Sequence, residues 1–351
     1  MEPRTVRAYR RPLDVRQGCV DLSHGAGGRA TAQLIADVFH EALDNEWLRR
    51  GNDQAAFDVE GGKLVMTTDA YVISPIFFPG GDIGSLSVHG TVNDIAMAGA
   101  RPRYLSASFI LEEGFPLAQL RRVAESMGAA ARAAGVAVVT GDTKVVERGK
   151  GDGVFISTTG IGVVPPGIEV SVERVRPGDC VILSGSLGDH GVAVMSRRHD
   201  LTFETEIVSD SAALHELVAA MVAAGGADLH AMRDPTRGGL GATLNEIAQQ
   251  AGVGFRLEEE AIPVKPAVTA ACELLGLDPL YVANEGKLVA FVAPRSAAAV
   301  LAAMRDHPLG REAAIIGEAV ADEHRFVQMT TGFGGERMVD WLAGEQLPRI
   351  C

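Results

Sequence analysis

Five aspartates sit where a carboxylate could meet a cation and phosphates. They are Asp53 in Gly51-Asn52-Asp53-Gln54-Ala55-Ala56, Asp69 in Thr67-Thr68-Asp69-Ala70, Asp94 in Val92-Asn93-Asp94-Ile95-Ala96-Met97, Asp142 in Thr140-Gly141-Asp142-Thr143-Lys144, and Asp234 before Pro235. Asp94 is the most informative, because a carboxylate inside an apolar helix is costly unless it is paired or holds a metal. Any one of the five reads equally well as a cap or turn residue. Together they point to magnesium and phosphates, which ATP chemistry without a P-loop gathers on carboxylates. No GxxxxGK[ST] occurs, so a P-loop is excluded. Gly25-Ala26-Gly27-Gly28-Arg29-Ala30 fits a loose GxGxxA. No strand follows within about twenty residues, so the βαβ unit of a dinucleotide fold is missing. What remains is a loop at Gly25, Gly27 and Gly28 whose amides can wrap phosphates.

The sequence ends on Cys351. A thiol on a tail can accept a group in one place and deliver it in another. A prenylation box would need its cysteine four residues from the end, so that reading fails. The α-carboxylate of such a residue disfavours the thiolate, whereas Arg349 nearby favours it. The other cysteines, Cys19, Cys180 and Cys272, are widely spaced and form no CxxC pair. This excludes a zinc knuckle and reads as a cytosolic redox setting.

Elements must place these groups. The Gly-rich opening, 1–35, leads into a helical stretch with Leu34, Ile35, Val38, Phe39 and Leu43 on one face. Leu64 to Thr67 reads as a short strand running into Asp69, and Gly84 to Ala100 as a helix carrying Asp94. Phe109 to Glu112 reads as a strand, and Pro116 opens a helix that Gly135 closes. Val136 to Val139 reads as a strand ending at Gly141-Asp142. Gly149 to Gly153 forms a turn, and Val154 to Val164 is a further strand. In the second half, Arg176-Pro177-Gly178-Asp179 turns into a strand at Val181 to Leu183, and a helix begins at Ser211. Asp234-Pro235 has the form of an N-cap with proline at the first helical position. Leu288 to Val292 reads as a buried strand and Ser296 to Arg305 as a helix. These divisions give a mixed α/β chain with an N-terminal domain over 36–168, a C-terminal domain over 169–330 and a mobile tail over 331–351. Fully extended, that tail spans on the order of 60 Å.

The balance of charge narrows the function. At 351 residues the chain can hold two ordinary cores, and its net charge of -13 disfavours nucleic acid and anionic membranes. No run of about 18 apolar residues is present, and Met1 to Arg16 lacks the apolar core of a signal peptide. Aromatics are only 5% against 41 glycines, which favours layered packing with close backbone approach.

Several segments resemble the HypE family of hydrogenase maturation factors. They are His24-Gly25-Ala26-Gly27-Gly28, Thr91-Val92-Asn93-Asp94-Ile95-Ala96-Met97, Gly141-Asp142-Thr143-Lys144-Val145-Val146, Gly188-Asp189-His190-Gly191, Met232 to Leu240, Asn284-Glu285-Gly286-Lys287 and the ending Pro348-Arg349-Ile350-Cys351. The resemblance runs from about residue 18 to 351. The wider superfamily holds aminoimidazole ribonucleotide synthetase, selenophosphate synthetase and thiamine monophosphate kinase. It implies a two-domain α/β fold like that synthetase's, dimerisation through the N-terminal sheets, and Mg-ATP at the domain junction. It further implies a HypF-type carbamoyltransferase that loads Cys351, ATP-dependent dehydration to a thiocyanate, and delivery of cyanide to a HypC–HypD complex. On that reading Cys351, Glu285 and Lys144 carry the chemistry. Gly25, Gly27, Gly28, Asp69, Asn93, Asp142, Arg233 and Arg237 hold the nucleotide, and Asp53, Asp94 and Asp234 the magnesium. His24 and His190 read equally as substrate contacts or as satisfied structural histidines. Two other readings compete: a synthetase or kinase of the same superfamily acting on a free small molecule, and a thiol carrier that consumes no ATP.

Overall fold

Two sheets divide the chain between them in sequence order. The computed structural model describes residues 28–34, 55–59, 62–201, 206–342, 344 and 347–351. The first sheet has the order β1-β2-β7-β5-β6, built from β1 (Ala55–Val59), β2 (Gly62–Tyr71), β5 (Arg101–Glu112), β6 (Ala137–Val146) and β7 (Val154–Val164). β3 (Phe77–Phe78) and β4 (Gly81–Asp82) form a separate short hairpin. Among the described strands of this first sheet, only β5 and β6 pair in parallel. A parallel pair needs a crossover, which a helix over Leu117–Ala133 supplies.

One face of this sheet is covered by the helix Ile83–Met97. Its start is fixed by a capping box: Asp82 accepts from the N–H groups of Gly84 and Ser85, while Ser85 Oγ accepts from Asp82 N–H. The helix lies close because β7 carries Gly160 and Gly162 beneath it. A Cβ at Gly162 would stand 2.4 Å from Ile95 Cγ2. β7 alternates buried and half-buried residues along its length, the period of a one-sided strand. On the opposite face Met66, Tyr104 and Ile110 remain exposed.

The second sheet has the order β14-β13-β10-β12-β8-β11-β9. Its strands are β8 (Cys180–Leu183), β9 (Leu229–Arg233), β10 (Gly254–Glu258), β11 (Val289–Val292), β12 (Ala314–Val320), β13 (Val327–Thr330) and β14 (Glu336–Met338). The helix Gly239–Ala251 packs Leu240, Leu244 and Ile247 on one side. Helices His215–Gly225 and Pro294–Asp306 fill the other side. That second core also takes in Ala96 and Met97 from the first domain's helix, so the two halves share a packed seam.

Some elements differ from the sequence reading, each for a local reason. β2 runs to Tyr71, which puts Asp69 inside a strand. β6 continues through Gly141-Asp142 to Val146, because its pairing with β5 holds to Glu112. The helix expected from Ser211 begins at His215, since the side chain of Asn93 occupies the N–H of Leu214. Asp234-Pro235 opens no helix. The next helix starts after Gly238, whose φ of 78° puts it in the left-handed region, and 234–239 is a pair of turns. The stretch after Thr331 is not structureless either, for β14 pairs with β13. Of the first expected helix only Arg29–Leu34 is described; Ile35, Val38, Phe39 and Leu43 lie outside the described residues.

Candidate active site

Glu285 occupies the seam between the halves, 3% exposed. Its main chain is held from both sides. Its N–H donates to Asp210 Oδ1 at 3.1 Å, and its carbonyl accepts from Asn93 Nδ2 at 3.2 Å. The neighbouring Asn284 accepts from Gly188 N–H and donates to the carbonyls of Pro235 and Val282. Gly286 presses on the Asp210 carbonyl, where a Cβ would come within 1.8 Å. Lys287 closes the unit by pairing with Asp210 at 3.0 Å, the two side chains being 12% and 4% exposed. So the run Asn284 to Lys287 is a rigid node, and its one loose end is chemical: Glu285 Oε1 is buried with no hydrogen-bond partner among the described residues. Burial, then the charges of Asp234, Asp69 and Asp210, push this carboxyl well above the usual carboxylate range, against a smaller opposing effect from Arg237. An unpartnered carboxyl with raised proton affinity is what a general base in a dry site looks like.

Cys351 comes to the same place. The tail residues 347–351 lie along the exit of β2, where Val72 N–H donates to Cys351 O at 3.0 Å and Ser74 N–H to Arg349 O at 3.2 Å. Ile350 is 2% exposed and belongs to the first domain's core cluster. The tail expected to be mobile is therefore docked in this structure. Burial pushes the Cys351 thiol far up, and Glu285, Asp69 and Asp234 push it further, with Arg237 opposing. Only a thiolate is a good nucleophile, so this docked thiol is protected rather than reactive.

The remaining sequence candidates separate into two sets. Asp69 and Asp234 both act on Glu285 and on Cys351. Asp94 joins them through Tyr71, whose hydroxyl is pushed up by burial and then by Asp69 and Asp94. Asp94 Oδ2 also accepts from Thr67 Oγ1 at 2.8 Å. Arg237 stands beside this group, and Arg233 lies 3.8 Å from Glu246. Asn93, a nucleotide contact on the family resemblance, donates to the carbonyls of Ala212 and Glu285 and accepts from Leu214 N–H. Asp142 and Lys144 stand apart on the edge strand β6, 2.5 Å from each other with side chains 60% and 69% exposed. Gly28 is buried, and a Cβ there would meet the Leu342 carbonyl at 2.6 Å. Gly25, Gly27, His24 and Asp53 lie outside the described residues.

Four residues of the site carried no role in the sequence reading. Asp210 and Tyr71 have no local signal. Lys287 was visible only as part of a motif. Arg198, in the last turn of the helix Asp189–Arg198, reads as an ordinary basic helix end.

With this geometry in hand, comparison with known proteins places the chain. Residues 51–164 match the N-terminal domain of AIR synthase related proteins, and residues 176–330 match their C-terminal domain. That defines the class. The carbamoyl dehydratase HypE of Bradyrhizobium diazoefficiens is 74% identical over 346 residues, which cover 99% of this chain and 100% of that protein. A solved HypE in complex with ATP is 50% identical and superimposes with a TM-score of 0.80, covering 94% of this chain and 99% of that one. The HypE–HypF complex gives a TM-score of 0.83 at 47% identity, covering 88% of this chain and 99% of that one. The chain belongs to the HypE family of AIR synthase related proteins.

Proposed function

We infer that this chain is an ATP-dependent carbamoyl dehydratase whose substrate is a carbamoyl group on its own Cys351. The observation that carries this reading is the docking of the tail that ends in Cys351 beside Glu285, a buried carboxyl with one unpartnered oxygen whose charge acts on the thiol. The relatives' printed activity and the ATP held by one of them support it.

Dehydrating a thiocarbamate removes one oxygen and two N–H protons and leaves S–C≡N. The oxygen is a poor leaving group by itself. ATP supplies the phosphoryl group that carries it off as phosphate, with ADP as the other product. Glu285 takes the nitrogen protons: its raised proton affinity makes it a stronger acceptor than an exposed carboxylate, and Oε1 has a lone pair to spare. Its fixed main chain keeps that oxygen in place. Arg237 supplies positive charge beside the thiol. Such chemistry rests mostly on positioning and electrostatics.

Magnesium fits the residues present. Asp69, Asp94, Asp234 and Glu285 crowd one region with Arg237 as the countercharge among them, an excess of negative charge that a cation relieves. Among the described residues no group of three or more ligand side chains is assembled in advance. Magnesium commonly takes only one or two carboxylates, with phosphates and water completing its shell. Asp69, Asp94 and Asp234 would hold it, with Asp53 as a further candidate, while Gly25 to Gly28, Arg233 and Arg237 would hold the phosphates.

The partners follow from the same reading. A HypF-type carbamoyltransferase loads the thiol, and a HypC–HypD complex accepts the cyanide. The protected state of the docked thiol implies that loading takes place with the tail withdrawn. A homodimer through the uncovered face of the first sheet is supported by Met66, Tyr104 and Ile110 lying exposed there. A positioning role for Lys144 would require the edge strand of one copy to meet the cleft of another. A cytoplasmic setting agrees with free Cys180, Cys272 and Cys351 and with no described helix being long and apolar enough to cross a membrane. A division into domains over 36–168 and 169–330 is supported by the two family matches, which lie within them at 51–164 and 176–330.

Intact-protein mass spectrometry tests the reading. Incubation with the carbamoyltransferase, carbamoyl phosphate and ATP should add one carbamoyl group at Cys351, and Mg-ATP should then remove one water. An ATP turnover that survives Cys351→Ala would instead indicate a free small-molecule substrate. A carbamoyl adduct that is passed on without ATP consumption would indicate a simple thiol carrier.

A further inference from the structure

The carbonyls of Pro348, Arg349 and Ile350 and one α-carboxylate oxygen of Cys351 each accept a hydrogen bond. Arg198 donates from Nη1 to Pro348 O at 2.7 Å and from Nη2 to Arg349 O at 2.8 Å. The same guanidinium is anchored independently of the tail, through Nε and Nη2 to Ser74 O at 2.8 and 2.5 Å. His190 is 2.8 Å from Ile350 O. A carbonyl only accepts, so Nε2 carries the proton and Nδ1 accepts from Ser209 Oγ at 2.8 Å. Ser209 Oγ in turn receives Ser211 N–H, which fixes the order of the chain. Val72 N–H and Ser74 N–H complete the set with bonds to Cys351 O and Arg349 O, received by a turn in which Arg349 has a φ of 52°. Two side chains are recognised as well: Ile350, buried in one cluster with Val194, Met195 and Ala283, and Arg349, whose Nε donates to Val72 O at 2.9 Å and whose guanidinium pairs with Asp152. Among the described residues the Cys351 thiol makes no hydrogen bond.

We propose that the cleft is a peptide-binding site that recognises its occupant by main chain and by the side chains of Arg349 and Ile350, with His190 and Arg198 as positioning residues and the thiol left unread. The tail is then a tethered peptide ligand, and a loaded or an unloaded cysteine docks by the same contacts. A short peptide ending Pro-Arg-Ile-Cys should bind in trans whenever the chain's own tail is released. This rests on the reading of Cys351 as the carrier.

The test uses the full chain with Ile350→Asp, which ejects the tail, and a fluorescent Pro-Arg-Ile-Cys peptide read by anisotropy; circular dichroism and a thermal melt establish folding. The peptide should bind this variant, and a Pro-Arg-Ile-Ala peptide should bind within about threefold as well. Adding Arg198→Met should weaken binding about tenfold or more, the effect of losing charge-assisted bonds to two carbonyls. With an S-carbamoyl peptide and Mg-ATP, Arg198→Met should raise KM and leave kcat nearly unchanged. Binding that requires the thiol, or no binding to a folded Ile350→Asp chain whose unaltered parent dehydrates its own tail, overturns the proposal. Binding of the peptide with no dehydration by peptide or parent chain keeps the docking site and overturns the carrier reading instead.

Discussion

Asn93 of the first domain donates to the main-chain oxygen of Glu285, 192 residues away, at 3.2 Å. The same amide also bonds Ala212 and Leu214, so one side chain aligns the seam on which the candidate base rides. The helix that carries Asn93 is thereby coupled to the position of Glu285.

Asn93→Ala should lower stability by about 2–4 kcal/mol, because three buried hydrogen bonds are lost and their partners left unmet. Urea unfolding measures this. Dehydration of the loaded tail should fall as well, since Glu285 loses its anchor, while loading of the released tail by the transferase should be unchanged.

Glu285→Gln should leave carbamoylation intact and slow dehydration by about 10²–10⁴. It should also alter stability with a definite sign. The ordinary carboxyl value is 4.5, and burial raises it in the folded chain. Folding therefore favours the protonated form; this contribution is full below 4.5 and is lost as pH rises through the folded value. Glutamine does not ionise and escapes the loss. The variant should melt above the parent chain at pH 8 and alike at pH 4. A constant difference between the two pH values would show that folding does not raise the proton affinity of Glu285.

Lys287→Met should cost about 3–5 kcal/mol, because it strands the Asp210 carboxylate in the seam. That stranded charge faces Glu285, so the pH at which dehydration reaches half its maximum should move upward. Asp210→Asn with Lys287→Met should recover much of the stability, and chemical denaturation of the four chains closes the cycle.

The sequence made the individual elements of the first domain readable where side-chain period and turn residues agree. Val154 to Val164 is an example, bounded by the Gly149 to Gly153 turn and matched at both ends. It failed where pairing overrides local chemistry. Gly141-Asp142 looks like a strand end, yet β6 passes through it because β5 offers partners beyond. Asp234-Pro235 looks like a helix start, yet the chain turns there to bring Pro235 O to Asn284. Within the site, Glu285, Asp69, Asp94, Asp234 and Cys351 stood out as chemistry-bearing types in unusual places. Asp210 and Arg198 did not. Their work is done on main-chain atoms more than 70 residues away, as in the 75-residue span from Asp210 to Glu285. Main-chain targets leave no pattern of residue types to find.

The docked tail has a consequence for the order of folding. Ile350 is a member of the first domain's core, and Arg349 donates to Val72 across 277 positions of chain. During synthesis the first sheet emerges long before the residue that completes its packing. That core must wait, with its slot open beside the exit of β2, through the making of the entire second domain. Contacts of such range slow folding, because loop closure is costly before any packing rewards it. The first domain thus emerges from the ribosome with one place still to be filled, and the segment that fills it is the one that bears the Cys351 sulfur.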